Sequence, residues 1–257
     1  MAAGHGVHAH AMLVEGDSPV HRLPAAAKIV AALLFVLAVV ATPREAGWAF
    51  GTHLAVLAVV VALARVPPGL LARRLAIELP FVAFAVLLPV VGGGERVAVV
   101  GVSLSVEGLW GAWNILAKAT LGLFATLLLT ATTSIADLIG GLDRLRVPRA
   151  FTAIAGFMVR YADVVADDMR RMRIARLSRG HDPRWFWQAR AVASSAGALF
   201  IRTYERGERV HAAMLSRGYT GALPRLGEQP TGRDWAVALV VPAMAAVTCV
   251  AAWGWVG

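Results

Sequence analysis

"GLWGAWNILAKATLGLFATLLLTAT" occupies Gly108–Thr132. Its 25 residues carry a single ionisable side chain, Lys118. A helix needs about 20 mostly apolar residues to cross the ~30 Å hydrocarbon core of a bilayer, and this stretch supplies them. "TSIADLIGGLDRLRVPRAF" follows at once, Thr133–Phe151, and there charged residues alternate with apolar ones at helical spacing. The change of pattern at Thr132 decides the fold. The chain crosses lipid as a helix, then continues as amphipathic helix along water.

Four further stretches satisfy the same requirement in whole or part. They are Pro24–Thr42, Ala46–Ala64, Leu75–Val91 and Trp235–Val256. The third is interrupted by Glu78, Pro80 and Pro89. The composition agrees: 58% of the 257 residues are hydrophobic and 16% are charged, against about a quarter charged in soluble domains. The expectation is an all-α integral membrane protein with about five transmembrane helices. The lone Cys249 rules out an intrachain disulfide and a cysteine zinc cluster. The N-terminal "MAAGHGVHAHAMLVEGDSP" has no basic leader before the first apolar run, so no cleavable signal is expected.

Basic residues orient these spans. Arg22 and Lys28 lie at the first span, and Arg65, Arg73 and Arg74 follow the second. Ser134–Asp234 holds 17 arginines against ten acids. The remaining loops carry only Arg44 and Arg96, each beside glutamate. Rich and poor loops alternate as the positive-inside rule requires, which places the N-terminus in the cytoplasm and the C-terminus outside. Trp48, Trp110, Trp113, Trp253 and Trp255 fall at expected outer ends. The net charge of +9 thus belongs to loops facing anionic lipid or an acidic partner, and nucleic acid is not expected.

The organisation expected is a tail and four spans over 1–133, a cytoplasmic segment over 134–234, and a last span over 235–257. Ser134 with Asp137 resembles a capping box that opens a short helix. A second helix runs from Pro148 to about Arg179, with Phe151, Ile154, Met158, Tyr161, Val165, Met169 and Met172 on one face. Asp167 is placed to pair with Arg171 one turn on. Asp182-Pro183 opens a third helix, with Trp185, Phe186 and Trp187 at its start and a bend expected at Ala196-Gly197.

Each long helix of this segment ends alike: "ARLSRG" over Ala175–Gly180 and "AMLSRG" over Ala213–Gly218. A glycine just past a helix end and a cation in its last turn are ordinary stop signals. Two matched endings in one basic segment suggest two equivalent plugs for two equivalent sockets.

On these residues, with "SPVHRLPAAAK" before the first span and "TTSIADLIGGLDRLRVPRAF" after the fourth, the chain resembles the transmembrane T component of energy-coupling-factor transporters. It is most similar to the cobalt-transport CbiQ type. The family pattern at the two endings is Ala-Arg-Gly; here Ser178 and Ser216 replace the alanine. The resemblance implies a non-catalytic, multi-pass subunit of a bacterial or archaeal plasma membrane. It implies two ATP-binding ABC ATPase partners, a small membrane subunit that captures the substrate, and cobalt or nickel as cargo. The coupling residues it implies are Ser178, Arg179, Gly180, Ser216, Arg217 and Gly218. The arginines would enter acidic grooves on the ATPases, and the amphipathic helices would carry the motion to the capture subunit.

Other signals carry less. His5, His8 and His10 are a loose set, and neither a metal ligand nor a cofactor is assigned. Glu78 and Lys118 at membrane depth could pair with each other or with a partner subunit. No Gly-x-x-x-x-Gly-Lys-Ser/Thr phosphate loop occurs, so ATP hydrolysis falls to separate subunits. Alternative readings are a T component for a vitamin such as biotin, a conventional ABC permease, and a membrane-embedded enzyme. A permease presents one coupling helix per copy. An enzyme of that kind needs a polar cluster at one membrane face.

Overall fold

The computed structural model describes residues 13–14, 16–67, 69, 74–99, 102–180, 189–221 and 229–256. The chain divides into two compact units. The first comprises Met12–Gly141 with Gly227–Gly257, and the second Met1–Ala11 with Leu142–Leu226.

In the first unit a short helix α1 (Pro19–Arg22) precedes α2 (Ala25–Ala41) and α3 (Gly47–Ala64). A 3-10 turn, Leu75–Glu78, leads into α4 (Leu79–Val91). A hairpin, β1 (Arg96–Val99) and β2 (Val102–Ser105), joins α4 to α5 (Val106–Thr132), and α6 (Ile135–Arg144) follows. The last helix of this unit is numbered α9 (Gly232–Val256) because two helices of the second unit intervene. Three of these helices, α3, α5 and α9, are long and apolar enough to cross a membrane, while α2 and α4 are shorter apolar helices. The third expected span is thus a 3-10 turn plus 13 helical residues. Pro80 sits in the first turn of α4, where a missing N–H costs nothing.

The hairpin is the one departure from an all-helical expectation among the described residues. It pairs Arg96 with Ser105 and Val97 with Leu104, inside a stretch expected to be an outer loop. Buried Ser105 ties it down: its hydroxyl donates to Gly93 O and accepts from Gly108 N at 3.1 Å, capping α5.

The helices pack as helices do in lipid, through small residues and interlocking aromatics. Phe35 and Val39 of α2 meet Phe50 and Leu57 of α3, Leu121 and Ala125 of α5, and Ala245 of α9. Ala46 and Ala49 pack on Ala252 of α9, where side chains larger than methyl would hold the backbones apart. Leu33, Leu37, Leu54, Val59, Phe84, Val247 and Val250 point outward, the pattern of faces made for acyl chains.

Two lysines answer the question of charge at membrane depth. Lys28 of α2 donates to Thr132 O at 2.9 Å, at the end of α5. Lys118 of α5 donates to Val40 O at 2.8 Å, near the end of α2. The helices are antiparallel, and each supplies the cation for the other's last carbonyls, where the helix dipole is negative. Trp253 Nε1 adds a bond to Ala41 O at 3.0 Å. Of the two pairings open to Glu78 and Lys118, that with each other is not formed: Glu78 accepts from Thr120 Oγ1. Carbonyl oxygens are nearer acceptors for Lys118 than any carboxylate, because α2 ends beside it.

Candidate functional site

Among the described residues, the second unit is built mainly from two long helices. Helix α7 (Arg149–Ser178) has 30 residues and α8 (Ala189–Ser216) has 28. Pro148 precedes α7 with ψ 128°, an extended residue that cannot extend a helix backward. Helix α8 is continuous through Ala196-Gly197. The expected start of that helix, Asp182-Pro183 with Trp185–Trp187, lies outside the described residues, as do His5, His8 and His10.

Each helix ends in the same way. The N–H of Arg179 bonds Arg176 O at 3.2 Å and that of Gly180 bonds Leu177 O at 2.9 Å. The N–H of Arg217 bonds Met214 O at 3.1 Å and that of Gly218 bonds Leu215 O at 3.0 Å. Gly180 has φ +74° and Gly218 φ +82°, the left-handed region that a Cβ disfavours. The serines match too. Ser178 Oγ donates to Ala175 O at 3.0 Å, and Ser216 Oγ to Ala213 O at 2.9 Å. Each hydroxyl spends its donor on its own helix, so serine takes the place of alanine without disturbing the helix end. All six residues are exposed. Neither Arg179 nor Arg217 has an acidic partner among the described residues.

The six residues form two separate endings, and the pair of helices sets their relation. Arg206 Nη2 bonds Asp168 Oδ2 at 3.2 Å across the two helices, with both side chains largely covered. Phe157, Tyr161 and Val165 share a groove of about 410 Å³ with Val210, Met214 and Tyr219. Residues before Asp168 on α7 therefore face residues after Arg206 on α8, and the helices cross antiparallel. Asp168 and Arg206 stand 38 residues apart, the spacing that also separates Arg179 from Arg217. The ion pair thus joins equivalent positions of the two helices. Each exposed arginine lies 11 residues, about 16 Å at a rise of about 1.5 Å per residue, further along its own helix, in opposite directions from that pair.

Sequence periodicity did not single out this cross-helix ion pair, because it looked for partners one turn away, as for Asp167 with Arg171. The 38-residue spacing of the endings was the available signal. Much of the apolar face of α7 stays uncovered: Phe151, Ile154, Met158 and Met169 are exposed.

The cobalt transport protein CbiQ family matches residues 16–228, across both units. The chain belongs to the CbiQ family. A cobalt transport protein CbiQ of Rhodobacter capsulatus is 30% identical over 227 residues, covering 87% of this chain and 90% of that protein. An energy-coupling factor transporter transmembrane protein EcfT of Thermanaerovibrio acidaminovorans is 30% identical over 241 residues, covering 86% and 88%. A putative fused cobalt transport protein CbiMQ of Methanocorpusculum labreanum is 28% identical over 214 residues. That match covers 80% of this chain and 36% of the fused protein. This CbiQ-family chain is accordingly a transmembrane component of a transporter of the energy-coupling-factor type. The matched region includes both serine-arginine-glycine endings.

Proposed function

We propose that this chain couples two ATPase subunits to a small substrate-capturing membrane subunit, in a transporter that takes up cobalt or nickel. The observation that carries the reading is the matched pair of endings, equidistant from an ion pair at equivalent positions. A dimer of like ATPases offers two sockets related by a two-fold axis. A single chain can fill both only by presenting the same ending twice, pointed opposite ways, and α7 and α8 do so. Exposed guanidinium groups suit acidic grooves, since the planar fork engages a carboxylate through two bonds. The uncovered apolar side chains of α7, methionines among them, provide a surface on which a capture subunit can slide while staying packed. A conventional permease presents one such helix per copy and explains the pair less well. Reconstitution tests the reading: cobalt(II) uptake requires this chain together with the ATPases and the capture subunit, and uptake by this chain alone would overturn it.

The proposal fixes a topology, with Met1 and residues 134–234 in the cytoplasm of the plasma membrane. In a Cys249→Ala background, Gly93→Cys is expected to react with an impermeant thiol reagent from outside and Gly221→Cys is not. The reverse pattern would invert the scheme.

A further inference from the structure

The segment before α2 and the start of α2 converge on the place where α5 gives way to α6. Thr133, the extended residue between them, has φ −143° and ψ 128°. Such a junction pivots freely unless something holds both sides. Lys28 does so: its ammonium donates to Thr132 O at 2.9 Å, to Thr133 Oγ1 at 3.2 Å and to His21 O at 3.1 Å. Lys28 is 8% exposed, so water does not compete for these bonds. The strap behind it is tied to the same place. Val14 N bonds Ala131 O at 2.9 Å, and His21 Nε2 bonds Val14 O at 3.0 Å. His21 Nδ1 in turn meets Ser18 Oγ at 2.7 Å.

Helix α6 is held at a second point. Gly141 lies so close to α2 that a Cβ there would sit 3.0 Å from Ala26 N and 3.1 Å from Ala25 C. Its first turn is closed by Ser134 Oγ, which accepts from Asp137 N at 3.1 Å. The α5–α6 junction is therefore pinned to α2 by a buried charge at one end and a glycine contact at the other.

We propose that Lys28 is a positioning residue for coupling, with Gly141 as the second point at which α6 is held. It fixes the root of the segment that carries Arg179 and Arg217, so that displacement of that segment is delivered to the membrane helices rather than lost in a pivot at Thr133. The inference rests on the coupling reading above. Lys28→Met keeps an unbranched side chain, one heavy atom shorter, and removes its charge and donors. In the complex with both ATPases and the capture subunit, it is expected to leave ATP hydrolysis within about two-fold of wild type. Cobalt(II) uptake per assembled complex should fall about ten-fold, the size of effect that breaking one coupling contact produces. Uptake at the wild-type rate overturns the proposal, and so does an equal fall in hydrolysis and uptake. Should Lys28→Met complexes not accumulate, Gly141→Ala decides by the same two rates. An Arg179→Ala, Arg217→Ala control that keeps uptake would instead overturn the coupling reading itself.

Discussion

Replacing Arg179 and Arg217 together by alanine is expected to release both ATPases from the membrane subunit and abolish uptake. If each arginine seats against a carboxylate in a groove, truncation leaves that carboxylate buried and unpaired, at a cost of about 2–5 kcal/mol per site. Two kcal/mol already weakens binding roughly thirty-fold. Either single change should leave ATP hydrolysis poorly linked to uptake, and lysine should restore part of the linkage because it lacks the planar fork. Helix-end cations with no groove to fill are worth only about 0.3–1 kcal/mol, and lysine would then serve as well. Co-purification and uptake of the double variant separate these cases. The helix ends themselves survive the change, because their capping bonds come from backbone groups and from Ser178 and Ser216.

Gly108→Ala is expected to give the largest loss of stability of any single methyl added to the membrane unit. A Cβ there would lie 2.5 Å from Leu88 O and 2.7 Å from Pro89 Cα. Both are backbone atoms, and Pro89 cannot rotate its φ to yield. The α4–α5 contact must open, which costs about 1–3 kcal/mol or more for an overpacked site. Thermal unfolding of purified protein in detergent should show a clear drop in midpoint. Gly122→Ala, with no neighbour within 4 Å of its added Cβ, should show none.

The membrane spans were legible because lipid imposes one requirement on every outward face, and Leu33 or Val247 meets it without knowledge of neighbours. The first and fourth apolar stretches match α2 and α5 to within two residues. Ser134 caps α6 through Asp137 N and also donates to the Asp137 carboxylate, local bonds that residue type and spacing make legible. What the sequence hid depends on long-range neighbours. Lys28 and Lys118 bond backbone carbonyls, and a carbonyl has no mark in a sequence. Each acceptor lies far along the chain, at Thr132 and Val40. The hairpin was hidden because Arg96–Ser105 was read for its charge alone, while a strand is made by its partner, here Arg96 opposite Ser105 and Val97 opposite Leu104. The helix endings occupy a middle position. The left-handed glycines followed from residue type, but their equidistance from Asp168 and Arg206 needed the crossing of α7 and α8.

Counting the ATPases bound per chain tests the central claim most directly. Native mass measurement of the purified complex should find two ATPase subunits on one copy of this chain, and one or none when either Arg179 or Arg217 is alanine. A wild-type complex with a single ATPase per chain, or an undiminished pair on the double alanine variant, would contradict the account and leave the two endings as ordinary helix stops.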